Sequence, residues 1–291
     1  MTSLQHKLFT RLNLAKRTEV KFEELNTILF AFAHTIPFEN LDVIASNTNT
    51  ITMENLQNKI LSRSRGGLCY ELNTLFYYFL KDCGYDVQLA LSTVYKNDIN
   101  AWALEDGHIT IILNYDNVRY VIDVGIASLV PLVPVPFTGE AVSSKNGTYR
   151  VRRKDTSKGN YVLERKDTSK GNYVLERKDT SKGNYVLERK DTSKGNYVLE
   201  RKDTNGEWKV CHAFYNRIID EAVVNGVQKR VVEDEKSIFN KGPIAAKLTE
   251  SGHVSLTNTS FTEIVHGEKT KREITEEQYR ELLYTLFAIE L

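Results

Sequence analysis

Three residues that together make a thiol nucleophile occur in the order Cys69, His108, Asp123. Cys69 ends the stretch Arg65-Gly66-Gly67-Leu68-Cys69, and a helical pattern starts at once. Leu68, Leu72, Leu75, Phe76 and Phe79 recur at three- and four-residue spacing, which predicts an amphipathic helix with Cys69 in its first turn. There the partial positive charge of the helix terminus stabilises a thiolate. Gly66 and Gly67 leave room for a ligand to approach the backbone and are free to take positive φ. A histidine base generates such a thiolate, and a carboxylate orients the imidazole and stabilises the imidazolium. Each residue has a plainer reading alone: Cys69 as a small buried hydrophobe, His108 as a strand-end histidine bonded to water, Asp123 as a buried acid paired with an arginine.

Their placement argues for the joint reading. His108 to Tyr115 and Arg119 to Val124 alternate as strands, joined around Asp116-Asn117. A two-residue loop sets Tyr115 opposite Val118 and Ile111 opposite Ile122, so His108 falls opposite Gly125. Asp123 is then a diagonal neighbour of His108 on the same face, at the ~7–8 Å Cα separation that an imidazole and a carboxylate can span.

The elements around these residues change character along the chain. Residues 1–85 read as a helical unit: Leu4, Leu8, Phe9 and Leu12 open it, Phe22 to Phe30 continue the pattern, and Pro37 interrupts it. Pro37-Phe38-Glu39-Asn40-Leu41 is then a turn or extended piece facing a cleft, and Gly84 is the C-cap of the Cys69 helix. From Asp86 the period becomes two, with Val87, Leu89, Leu91, Thr93 and Tyr95 on one face. Pro131, Pro134 and Pro136 mark an irregular connection. Val210, His212 and Phe214 suggest a later strand, and hairpin strands fill Ala246 to Val265, turning at Ser251-Gly252 and Asn258. A last helix starts with a Thr275/Gln278 capping box and an Ile274–Tyr279 staple, and buries Leu282, Leu283, Leu286 and Phe287.

One segment is unusual. Arg-Lys-Asp-Thr-Ser-Lys-Gly-Asn-Tyr-Val-Leu-Glu occurs four times unchanged across residues 153–200, and a fifth copy begins at Arg201 and diverges at Asn205. Each unit reads as a short strand with a Lys-Gly-Asn turn, but Tyr, Val and Leu alone give it little to bury. Three extra strands of a meander would reverse the sense in which Trp208 re-enters the sheet. One copy therefore belongs to the fold and three form a projecting insertion; a repeat-based binding array is the alternative.

Composition bounds the partners. A 291-residue chain with 26% charged residues and a net charge of +1 is an ordinary globular one with no polyanionic, nucleic-acid partner. No apolar run approaches the ~18 residues of a spanning helix, and the N-terminus lacks a signal-peptide pattern. Three cysteines without a CxxC pair argue against a disulfide framework or structural zinc, and for a reducing, cytoplasmic location.

The residues then resemble a known family. Arg65 to Asn73 is similar to the RGGxCxE-x-N signature of the arylamine N-acetyltransferases, and Pro37 to Asp42 resembles that family's PFENLD segment. Gly107-His108 and Asp123-Val124-Gly125 fall where the family carries its catalytic histidine and aspartate. Without three repeat copies the chain has about the length of a compact bacterial member.

The resemblance implies a mixed α+β fold of the cysteine-protease-like kind. A helical bundle (1–85) carries Cys69, a central antiparallel β-barrel (86–228) carries His108 and Asp123, and an α/β lid (229–291) follows. It implies ping-pong transfer of an acetyl group from acetyl-CoA through Cys69 to an arylamine, arylhydrazine or N-hydroxyarylamine. No permanent cofactor or metal is expected, and the protein is a monomer or homodimer. By similarity, Phe38, Ile126, Ala127, Ser128 and Leu129 line the acceptor pocket, and Thr110 and Gly125 lie near it or the pantetheine channel. Another Cys-His-Asp enzyme, such as a papain-like peptidase, transglutaminase or amide synthase, and a non-catalytic repeat-bearing binding protein are the rival readings.

Overall fold

Leu4, Leu8 and Phe9 share the buried face of α1, Ser3–Arg11, whose first turn is closed by a reciprocal Thr2/Gln5 capping box. The computed structural model describes residues 2–166, 189–191, 197–199 and 208–290. Leu25, Ile28, Leu29 and Phe32 give α2, Leu25–Thr35, the next buried stripe. It stops at Ile36, in the extended conformation that the following Pro37 favours. Past that proline come the two-residue strand β1, Phe38–Glu39, and two short helices, α3, Leu41–Ile44, and α4, Met53–Leu56. The helix α4 widens into a π turn over Gln57–Ser62.

The helix α5, Cys69–Asp82, then runs through the centre of the helical core. Its direction is set by aromatic packing: Phe76 meets Phe32 edge-on at 5.3 Å between ring centroids, and Phe79 meets Phe9 at 5.8 Å. All four rings are fully buried, which contributes about 1.5–3 kcal/mol apiece relative to exposure. After Cys83, Gly84 takes φ +88° and ends the helical region.

The central sheet is built from β2, Asp86–Lys96; β3, Ala101–Trp102; β4, His108–Tyr115; β5, Val118–Ile122; β6, Val135–Pro136; β7, Val142–Ser144; β8, Gly147–Thr156; and β9, Gly159–Lys166. Two three-residue strands, β10, Arg189–Asp191, and β11, Tyr197–Leu199, pair with each other, and β12, Trp208–Ile219, returns to the sheet. The strand order is β6-β5-β4-β2-β12-β9-β8-β7, with β3 added to the end of β2, and every pairing is antiparallel.

The sheet nearly closes on itself. Tyr149 on β8 donates its hydroxyl hydrogen bond to the segment ahead of β6, at Leu129 O and Val130 O, 3.1 and 3.2 Å away. Val121, Val135, Tyr149, Val151, Leu163 and Phe214 fill the interior. The β4–β5 register is the expected one, with Tyr115 opposite Val118 and Ile111 opposite Ile122. Asp116 and Asn117 both take positive φ, as a type I′ loop requires. On β2, Ala90 and Ser92 are buried while Leu91 is half-buried, so the simple alternation expected there gives way to a strand covered on both faces.

The first repeat copy lies in the β8–β9 hairpin, and β9 pairs directly with β12, Lys166 opposite Trp208. The arrangement expected for the other copies falls outside the described residues, apart from the β10–β11 pair. Deleting residues 165–200 joins Glu164 to Arg201-Lys202, which reproduces Arg165-Lys166, and leaves the five residues Asp203 to Glu207 as the loop into Trp208. A hairpin connection of that length suits antiparallel neighbours. The shortened chain is expected to keep its thermal midpoint within a few degrees and its activity; loss of either would show that the copies support the sheet.

A helix not foreseen in the sequence, α6, Glu221–Glu233, follows β12, with Asp220 capping it by accepting from Val223 N. Residue 228, the expected edge of the barrel unit, lies inside this helix. The C-terminal strands are β13, Ile244–Thr249; β14, Gly252–Thr257; β15, Ser260–Val265; and β16, Glu268–Glu273. They form a second antiparallel sheet in which β1 pairs with β13, Phe38 opposite Ala246. The helix α7, Glu276–Phe287, lays Tyr279, Leu283 and Phe287 on it, while Leu282 and Leu286 are only partly buried. Among the described residues no helix is long and apolar enough to cross a membrane.

Candidate active site

The segment before α5 is held by backbone and charge together. Gly67 N donates to Pro37 O at 3.2 Å and Glu39 N donates to Gly67 O at 3.0 Å, so the extended Pro37–Glu39 piece and the glycine doublet form one unit. Beneath it, Lys59 Nζ lies 2.9 Å from Asp42 and 2.7 Å from Glu71, and Arg65 Nη2 lies 2.9 Å from Glu39 and 3.2 Å from Asp42. Burial would lower the Lys59 pKa, but the carboxylates of Glu71, Glu39 and Asp42 outweigh it and hold the ammonium charged. Glu71 uses its second oxygen to accept from Leu68 N at 2.9 Å, which satisfies a free donor at the start of α5.

Cys69 is the first residue of that helix, and its sulfur lies 3.5 Å from Gly107 O. His108 opens β4 beside it, and its Nε2 meets Asp123 Oδ2 at 2.6 Å. The other ring nitrogen, Nδ1, is left for the thiol. The Asp123 carboxylate is fixed at its other oxygen, where Oδ1 accepts from Asn73 Nδ2 at 3.0 Å and Gly125 N at 2.8 Å. Asn73 belongs to α5, also donates to Ile109 O at 2.7 Å and accepts from Val124 N at 2.9 Å. One side chain thus locks the cysteine helix to β4, which carries His108, and to the segment after β5, which carries Asp123.

Burial would lower the His108 pKa, but the charges of Asp123 and Cys69 and hydrogen bonds to both outweigh it, and it is raised to about 10. For Asp123, burial opposes ionisation, yet His108 and then His212 hold its carboxyl well below the usual carboxylate range. By contrast, burial pushes the thiols of Cys83 and Cys211 up to about 12.

Cys69 and His108 open onto a cleft of about 300 Å³, almost wholly apolar, while Asp123 stays buried behind His108. Of the residues singled out in the sequence, Phe38, Gly125, Ile126, Ala127 and Leu129 line the cleft. Thr110 and Ser128 do not. Thr110 sits two residues beyond His108, roughly 6.6 Å deeper along the strand, where its hydroxyl donates to Ile122 O. Ser128 lies in the turn over Ala127–Leu129, and its carbonyl accepts from Asn146.

Other lining residues were not foreseen: Val231 of α6, Ser237, Ile238 and Phe239 after it, and the cations Lys96 and Lys236. The valines at 224, 227 and 231 have helical spacing, but β-branched residues favour strands and weaken that signal. Among the described residues, His108, Asp123 and His212 are the group whose ligand atoms converge as a metal site's would, within 4.8 Å. Here the carboxylate and His108 are already each other's hydrogen-bond partners.

Comparison with known proteins gives one consistent neighbourhood. A family model for N-acetyltransferases matches residues 21–291. The solved structure of arylamine N-acetyltransferase C from Bacillus anthracis is 42% identical, covers 99% of both chains and superposes with a TM-score of 0.83. The arylamine N-acetyltransferase NAT3 of Bacillus cereus, described with a unique Cys-His-Glu catalytic triad, is 43% identical over 100% of both chains, also with a TM-score of 0.83. An uncharacterized acetyltransferase of Bacillus subtilis, YvcN, is 31% identical over 274 residues, 94% of this chain and 93% of its own.

Proposed function

This chain belongs to the arylamine N-acetyltransferase family, and we propose that it moves an acetyl group from acetyl-CoA to an aryl nitrogen through a thioester on Cys69. The observation that carries the reading is the seating of Cys69 at a helix N-terminus, beside a His108 already bonded to Asp123, at the base of an apolar cleft.

The first step passes the Cys69 thiol proton to His108 Nδ1, which gives a thiolate–imidazolium pair. The thiolate attacks the acetyl carbonyl of the donor, and the positive end of α5 favours the oxyanion that forms. The bond from carbon to the CoA sulfur then breaks, and the departing thiolate takes the proton of His108, leaving acetyl-Cys69 and a neutral imidazole. The acceptor nitrogen attacks next. His108 Nδ1 takes its proton, the carbon–sulfur bond to Cys69 breaks, and the thiolate–imidazolium pair is restored. Arylamines, arylhydrazines and N-hydroxyarylamines suit this step because a weakly basic aryl nitrogen is largely unprotonated at neutral pH, so one base suffices.

Phe38, Ile126, Ala127 and Leu129 supply apolar surface for the aryl group, and Gly125 leaves room beside the sulfur. Lys96 and Lys236, the cations of the cleft lining, suit the phosphates of the donor. In this division of labour residues 1–85 supply Cys69, 86–228 supply His108 and Asp123, and 229–291 close the cleft. The test is acetyl-CoA-dependent acetylation of an arylamine run beside hydrolysis of a fluorogenic peptide. Acetylation without peptide hydrolysis supports transfer; the reverse outcome makes the protein a peptidase.

A further inference from the structure

A second histidine, His212, stands against the same carboxylate. It lies on β12, is fully buried, and its Nε2 is 3.4 Å from Asp123 Oδ2, the oxygen that also takes the His108 hydrogen bond. At that distance and angle neither ring nitrogen of His212 has a hydrogen-bond partner among the described residues. The two imidazole rings are 5.2 Å apart. The flanking strands present Val94 and Leu163 opposite His212. Its charged and titratable neighbours are therefore Asp123 and His108, with Cys69 beyond the latter and Cys211 next to it on its own strand. Burial pushes the His212 pKa below its ordinary value and outweighs the pull of Asp123, so this ring is neutral and has one N–H to give.

We infer that His212 is a positioning residue for the second half of the reaction: in the acetyl-enzyme its Nε2–H donates to Asp123 Oδ2, which keeps His108 unprotonated for the incoming amine. This rests on the acetyl-Cys69 intermediate of the proposed function. In the free enzyme the His108 imidazolium balances the buried carboxylate. Once Cys69 is acylated, the thiolate is gone and His108 has given up its proton, so Asp123 keeps a full charge with a neutral partner. A buried carboxylate in that state draws a proton back onto the imidazole. A second N–H on Oδ2 spreads that charge and lowers the proton affinity of His108. His212 is the group within reach: in the resting site its Nε2 stands 3.4 Å from Oδ2 without the geometry of a formed hydrogen bond.

The test separates the half-reactions. Wild type, His212→Phe and His212→Gln are charged with acetyl-CoA, freed of donor, and their single-turnover discharge to a fixed arylamine is followed between about pH 5 and 9. The wild-type rate rises with pH as His108 loses its proton. In His212→Phe the midpoint moves about one unit to higher pH, so discharge is about tenfold slower below it while the alkaline plateau is kept. His212→Gln, which keeps an N–H, moves the midpoint back toward the wild-type value. An unchanged midpoint, or a uniform loss at every pH, overturns the inference. Should the Phe variant not fold, the nitrogen-15 imidazole spectrum of the wild-type acetyl-enzyme decides: Nε2 of His212 must carry the proton, and the Nδ1–H tautomer contradicts the inference. Failure of the wild type to form any acetyl-enzyme overturns the functional reading itself, and the inference with it.

Discussion

Asp123→Asn lowers acetyl transfer by about 10³–10⁴-fold while leaving the fold intact. The size follows from which atoms already hold the carboxylate. Two donors, Asn73 Nδ2 and Gly125 N, point at Oδ1, so an amide at this position must place its oxygen there. Its NH₂ group then faces His108 Nε2, which becomes an acceptor and carries no proton. The proton moves to Nδ1, the nitrogen assigned as base in the proposed mechanism, and the imidazole is present in the wrong tautomer. Asp123→Glu keeps an acceptor and a charge and loses far less. Steady-state rates of the two variants, with melting curves as the control, check this; an Asn variant within tenfold of wild type would mean that Asp123 does not set the tautomer.

The second large effect is structural. A Cβ built on Gly66 stands 2.0 Å from Pro37 O and 2.8 Å from its carbonyl carbon. Both are backbone atoms, so no rotamer change relieves the clash. Gly66→Ala must therefore part the Pro37–Glu39 segment from the loop that leads into α5, with loss of the Gly67–Pro37 and Glu39–Gly67 hydrogen bonds. The Arg65 ion pairs to Glu39 and Asp42 are strained with them, and a buried charge that loses its partner is expensive. A destabilisation of about 3 kcal/mol or more is expected in denaturant unfolding, with activity falling in parallel.

Gly125→Ala offers the contrast. Its Cβ would meet Asn73 Nδ2 at 2.6 Å and Cys69 Cα at 2.8 Å, the atoms that align the nucleophile with Asp123. That variant is expected to lose turnover before it loses stability. Equal stability loss in both would remove the distinction.

Much of this was readable in the chain because it is local. The helix that starts at Cys69 follows from apolar spacing and the glycines before it. The meeting of His108 and Asp123 follows from a two-residue loop at Asp116-Asn117, since strand register is fixed once loop length is known. What depends on long-range packing was hidden. His212 reads as an ordinary strand residue until β12 is set beside β2, 118 residues earlier at Val94.

The same limit explains Thr110, which shares a strand face with His108 but lies too deep to reach the cleft. The α6 contribution to the cleft was masked by valines, whose spacing is helical and whose propensity is not. Asn73 was visible as part of a signature, while its role as the clamp between α5, β4 and the segment after β5 needed coordinates.

Acyl transfer through Cys69 requires one covalent event. The full-length protein is mixed with acetyl-CoA in the absence of acceptor, and its intact mass and peptide map are recorded by mass spectrometry. A single acetyl group is expected on the peptide holding Cys69, absent in Cys69→Ser and discharged on adding an arylamine. Cys83 and Cys211, with thiols pushed up to about 12, stay unmodified. An acetyl group on either of those cysteines, or acetyl transfer that continues in Cys69→Ser, would contradict transfer through Cys69.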